Sequence, residues 1–225
     1  CHLASLSSAA VTEGVLEAFL RLAGASTSPR RSVRGRGDAR VLGAALLVAA
    51  TRDTVSTAGR LRLARLSAAT QRTAALRGDD PFSARHWYIA NEVAFRLGAR
   101  KMVATAAIVG AVWRRIGAGD SRWGDASSLE CFWAGVAGVI DLPAEPATGI
   151  AALLDRWEIS RLPRPAAQEM RDISVATERA WGGRRPMLPG LVEDDFHDVL
   201  RDSRWSSHAV GASGRPSKFE SKEVK

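Results

Sequence analysis

Chemistry in this chain has to start from few residues. His86 lies in the segment Asp80-Asp-Pro-Phe-Ser-Ala-Arg-His-Trp-Tyr-Ile-Ala-Asn-Glu-Val-Ala-Phe-Arg-Leu-Gly98. There Phe82, His86, Ile89, Val93 and Leu97 recur at spacings of three and four, so they share one helix face. A neutral imidazole on an apolar face is either a core residue or an axial ligand for haem iron, with nearby cations for propionates. Arg52, Arg85 and Lys101 are the cations within sequence reach of that role. The other histidines are His2, His197 and His208. His197 follows Glu193-Asp194-Asp195-Phe196, where carboxylates would favour its protonated form, and Arg201 and Arg204 make ion pairing the plainer account of that stretch.

Other catalytic patterns are missing. No HExxH or ExxH pairing offers a zinc or di-iron site, and no GxSxG offers a nucleophile elbow. Gly35, Gly37 and Gly43 follow no strand and make no dinucleotide loop. The two cysteines, Cys1 and Cys131, form no metal spacing; Cys131, between Glu130 and Phe132, is expected to be a buried thiol.

Charge offers a second kind of chemistry. Of the net +8, residues 1–120 hold 18 Lys/Arg against 8 Asp/Glu, and residues 121–225 hold 14 against 16. A basic half suits an anionic partner, nucleic acid or an anionic membrane surface, and equally suits a solvated Arg-rich face. Arg60, Arg62, Arg65, Arg72 and Arg77 run along one helical stretch, and Arg62, Arg65 and Arg72 fall within a broad arc that could contact phosphates.

These side chains need helices to position them. Ala, Leu and Arg dominate, strand formers are sparse, and 46% hydrophobic with 25% charged residues is a globular composition. Helices are expected over Val11–Ala23, Asp38 to Arg77 with a break near Gly59, Asp80–Leu97, Ala99–Ile116 and 129–140. Three more are expected near 146–160, 165–181 and 192–204. Asp80 is expected to cap its helix, with Pro81 at the first position and Gly98 just past the end. Ser127-Ser-Leu-Glu130 reads as a capping box. The result is an all-α fold of seven to eight helices: residues 1–37 an N-terminal helix and flexible loop, 38–210 a helical domain, and 211–225 a disordered tail. Val41–Ala50 and Met102–Trp113 are shorter than the roughly 18–20 apolar residues of a membrane span. A cytoplasmic or peripheral membrane location is expected. The start at Cys1 suggests a fragment or processed product.

The C-terminal half carries a resemblance. Leu129-Glu-Cys-Phe-Trp-Ala-Gly-Val-Ala-Gly-Val-Ile-Asp-Leu-Pro143, then Leu153-Leu-Asp-Arg-Trp-Glu158, then Met187-Leu-Pro-Gly190 and the helix through Leu200-Arg201 resemble the mpaB/rubber-oxygenase (latex-clearing) family over roughly residues 38–211. The resemblance implies an all-α protein that binds haem b through a helix histidine and uses dioxygen on a hydrophobic, lipid-like substrate. Arg52 and Ser56 before His86 match the family's Arg, Thr and ligand His, with Ser in place of Thr. On that alignment His86 is the axial ligand, Arg52 neutralises a propionate or polarises oxygen, Ser56 donates a distal hydrogen bond, and Arg85 and Lys101 help hold the cofactor. On a second alignment Thr73-Ala-Ala-Leu-Arg-Gly78 matches the family's His-x-x-x-Arg-Gly. Thr73 then occupies the ligand position, and the chain is a cofactor-less relative acting as a non-catalytic module.

Overall fold

The computed structural model describes residues 5–28, 32–72, 74–76 and 82–206. The fold is all-α, and among the described residues there is no strand, only an isolated bridge between Pro163 and Ser206. The helices are α1 (Ser8–Ala25), α2 (Val33–Arg52), α3 (Thr57–Arg72), α4 (His86–Arg96), α5 (Lys101–Gly117), α6 (Ala126–Ala134), α7 (Pro146–Arg156), α8 (Ala167–Trp181) and α9 (Glu193–Arg201). Short 3₁₀ turns at Ala74–Leu76 and Ala137–Ile140 join them.

The centre is α5. Met102–Val109, Ala111–Trp113 and Ile116 are all buried, so this helix is apolar nearly all round and needs neighbours on every side. It packs against α4, α7, α1, α9 and α6, while α1, α2 and α3 form a layer with the turn Ala74–Leu76. Aromatic rings lock the two parts together. Trp133 of α6 meets Trp113 of α5 edge-on at 5.6 Å and Phe19 of α1 at 6.3 Å, and Phe19 meets Phe132 at 5.8 Å.

Several boundaries differ from the sequence expectation, each for a local reason. Ser7 caps α1, accepting from the Ala10 N–H at 3.2 Å, so the helix starts three residues before the expected Val11. Ser32 caps α2 by accepting from the Gly35 N–H at 3.0 Å, so the helix starts five residues before Asp38. The expected break near Gly59 lies at residues 53–56. There Asp53 accepts from the N–H groups of Val55 and Ser56 at 2.9 Å each and from the Ser56 hydroxyl. Asp125 caps α6, accepting from Ser128 N–H at 2.8 Å and from the Ser127 hydroxyl at 2.9 Å, so Ser127 and Glu130 form no capping box. That helix stops at Ala134, where the Gly135 and Val136 N–H groups donate to the carbonyls of Phe132 and Trp133 at 3.1 and 3.0 Å and tighten the chain into a 3₁₀ turn. Cys131 is exposed, not buried: Leu129, Phe132 and Trp133 take the core side of the helix.

The helix carrying His86 is shorter than expected. Residues 82–85 form a turn, and α4 begins at His86. Tertiary contacts hold this turn: the Thr27 hydroxyl at the end of α1 donates to the Ser83 carbonyl at 2.8 Å, as does the Arg85 N–H. Phe82 is therefore in the turn and not on the helical stripe. Gly98 does end α4 in a left-handed conformation (φ 58°), with Ala99 N–H donating to Ala94 C=O at 2.9 Å. The expected cap Asp80, Pro81 at the first position, and the tail from 211 lie outside the described residues. No helix among those residues is long and apolar enough to cross a membrane.

Candidate functional site

His86 is 1% exposed and sits where α1 ends and α4 begins. A Cβ on Gly24 would overlap Ala84 and lie 3.1 Å from His86 Cε1, so the imidazole is pressed against the α1 backbone. Trp87 is beside it, with ring centroids 4.9 Å apart. The His86 Nε2 is buried and has no hydrogen-bond partner among the described residues. Burial, with a smaller contribution from the Lys101 charge, pushes its pKa down from 6.5 to about 3, so the ring is neutral at physiological pH.

The remaining predicted residues are engaged elsewhere. Lys101, the exposed first residue of α5, places Nζ 5.2 Å above the Trp87 ring, a cation–π contact. Arg85 donates through Nη1 to the Met187 carbonyl at 2.5 Å, tying the start of α4 to the segment before Leu188. Arg52 is exposed as the last residue of α2. Ser56 donates to Asp53 and accepts from Gly59 N–H at 3.0 Å, which makes it part of the α2–α3 corner. That corner belongs to the α1–α3 layer, whereas α4 packs on α5 and α8. The structure brings His86, Arg85 and Lys101 near one helix start and leaves Arg52 and Ser56 apart.

A haem b needs a slot for its plane against the ligand imidazole. The unpartnered Nε2 would suit an iron, but the ring is closed over by Gly24, Ala84 and Trp87. Four surface cavities are lined without His86. As packed, the residues around His86 do not fit a haem. Gly24→Ala would press further on this junction and should lower stability by about 1–3 kcal/mol, measured by urea unfolding; an unchanged midpoint would mean the α1–α4 contact is loose.

His197 lies half-buried on α9. His2, His208 and Thr73, the alternative ligand position, lie outside the described residues. No group of three His, Cys, Asp or Glu among the described residues could hold a metal ion.

The basic surface forms a second site, which the sequence marked only by its arginine arc. Residues 33–72, spanning α2 and α3, contain eight Arg against Asp38 and Asp53. Arg34, Arg40, Arg52, Arg62, Arg65 and Arg72 are exposed. Arg60 is not part of this surface: it is 8% exposed and donates to the carbonyls of Leu6 at 2.9 Å and Thr54 at 3.1 Å. An open groove of about 580 Å³ runs between the two helices, with Arg65 and Arg72 on one wall and Asp38, Val41 and Leu42 on the other. A more apolar groove of about 340 Å³ lies on the other side of α3, against α1. A third cavity, about 240 Å³, is rimmed by Arg114, Arg161 and Arg204, but these are tied to Asp155 and to Asp202. Arg77, the end of the expected run, lies outside the described residues.

No family model, curated protein or solved structure matches this chain.

Proposed function

We propose that this chain is a non-catalytic helical module that binds an anionic partner through the basic α2–α3 face. The open groove lined by Arg65 and Arg72, on a surface where six Arg between residues 33 and 72 stand exposed, carries this reading. Guanidinium groups suit the task because their planar donors pair bidentately with phosphate or carboxylate and stay charged at every physiological pH. Binding of this kind releases counterions and weakens steeply with salt. Retention on a sulfated-polysaccharide matrix tests it. The protein should elute with rising salt, and the triple variant Arg62→Gln, Arg65→Gln, Arg72→Gln should elute at clearly lower salt with unchanged helicity. Elution of the variant with the native protein would remove the face from the proposal.

A second reading is a haem-dependent, oxygenase-like protein acting with dioxygen on a hydrophobic substrate. The unpartnered Nε2 of His86 favours it. It requires the end of α1 to withdraw from His86 and open a slot. A visible spectrum after addition of haem decides: a Soret band that disappears in His86→Ala supports this reading, and a flat spectrum ends it.

A further inference from the structure

We infer that the anionic partner of the α2–α3 face is a phospholipid surface, an inference that rests on the binding-module reading above. The pattern of exposed and half-buried side chains carries it. On α2, Arg34, Asp38, Val41, Ala45 and Arg52 recur at spacings that put them on one face. On α3, Leu61, Arg62, Arg65, Ala69 and Arg72 do the same. The two faces meet at the groove, which takes Asp38 and Val41 from one helix and Arg65, Ala69 and Arg72 from the other.

Aliphatic side chains stand exposed on these two faces, Val41 at 69% and Leu61 at 40%, and beside them, Val33 at 78% at the start of α2 and Val55 at 72% in the corner between the helices. Arginine alone would suit any polyanion. Exposed valine and leucine beside it gain nothing from a sugar–phosphate backbone, but they gain by entering the headgroup and acyl boundary of a bilayer. Nucleic acid would be better served by aromatic platforms for base stacking, and residues 33–72 contain no Phe, Trp or Tyr. Of the two acidic residues, Asp53 has its carboxylate held by Ser56 and Val55, which lower its pKa, and it lies outside the groove. Asp38 alone opposes the arginines within it. The face is thus cationic and aliphatic together, the combination that lies on a membrane without crossing it.

Flotation of the whole chain with vesicles tests this. Phosphatidylcholine vesicles are compared with vesicles containing about 30% phosphatidylserine, an anionic fraction that sets up the surface potential basic segments sense. A phosphate-bearing competitor, a short DNA duplex, is titrated in parallel by fluorescence anisotropy. The expected result is binding to the anionic vesicles alone, lost at about 0.5 M salt, where charges are screened beyond a few ångströms. Arg65→Gln and Arg72→Gln should each weaken vesicle binding about five-fold. Val55→Ser with Leu61→Ser should weaken vesicle binding while leaving retention on the sulfated matrix unchanged, because these aliphatic groups lie outside the groove and serve only the lipid. Equal binding to neutral vesicles, or anionic binding indifferent to all four substitutions, would overturn the inference. Tight duplex binding without vesicle binding would overturn it too and leave the module reading standing. Failure on vesicles, duplex and sulfated matrix alike would remove both.

Discussion

Lowering the pH from 6.5 to 4.5 should cost this protein about 2 kcal/mol of folding stability through a single imidazole. His86 titrates near its ordinary 6.5 in the unfolded chain but only at about 3 in the folded one. Between those values the unfolded state binds the extra proton, so stability falls as pH falls. The contribution is fully present above pH 6.5 and is lost progressively down to about 3. The nearby Lys101 charge reinforces this sign, since it repels a second positive charge. The carboxylates act in a lower window. Asp120, Asp125, Glu145, Asp155 and Asp202 have lowered values, so their stabilisation is lost only as pH falls below the ordinary 3.8 for Asp and 4.5 for Glu. Urea unfolding at pH 6.5 and 4.5 therefore reports chiefly on His86. His86→Leu should flatten this limb. It should also be nearly neutral at pH 7, since an apolar side chain replaces a ring with an unsatisfied nitrogen. If His86→Leu keeps the full acid limb, the imidazole is hydrated or paired in solution, and the closed site described here is wrong.

Trp133→Ala should be the most damaging single truncation, costing about 3–5 kcal/mol. Trp133 is fully buried, donates from Nε1 to the Pro143 carbonyl at 2.8 Å, and joins α1 to α5 through its contacts with Phe19 and Trp113. Its indole also fills the space above Gly149 of α7, where a Cβ would overlap the ring and stand 2.7 Å from the Pro143 carbonyl oxygen. Gly149→Ala should consequently cost about 3 kcal/mol by overpacking. The two positions are coupled. Trp133→Phe removes the part of the ring nearest Gly149, so the double variant should be more stable than the sum of the single changes predicts. Thermal unfolding of the four proteins checks this; strict additivity would mean the indole and Gly149 do not share that space.

Much of this molecule was legible from local pattern. The all-α class followed from composition and from apolar residues at spacings of three and four, because helix periodicity is a property of the segment itself. The Gly98 stop was readable for the same reason, since a left-handed residue after a helix favours glycine wherever the helix packs. The stripe of His86, Ile89 and Val93 was also correct, and all three are buried. Caps were less legible: several Ser and Asp near a helix start compete for the same N–H groups, and the chain geometry picks Ser7, Ser32 and Asp125. Gly24 lets Ala84 and His86 approach the α1 backbone, a role no local pattern marks. The tertiary structure alone decided the candidate sites. Spacing placed Arg52 and Ser56 before His86, yet the α2–α3 corner turns them into a different layer. The same turn sets Arg65 and Arg72 across a groove from Val41, 24 and 31 residues away in the chain. Sequence periodicity fixes which residues share a face of one helix; which faces meet depends on how helices pack against each other, and that is settled by contacts distant in sequence.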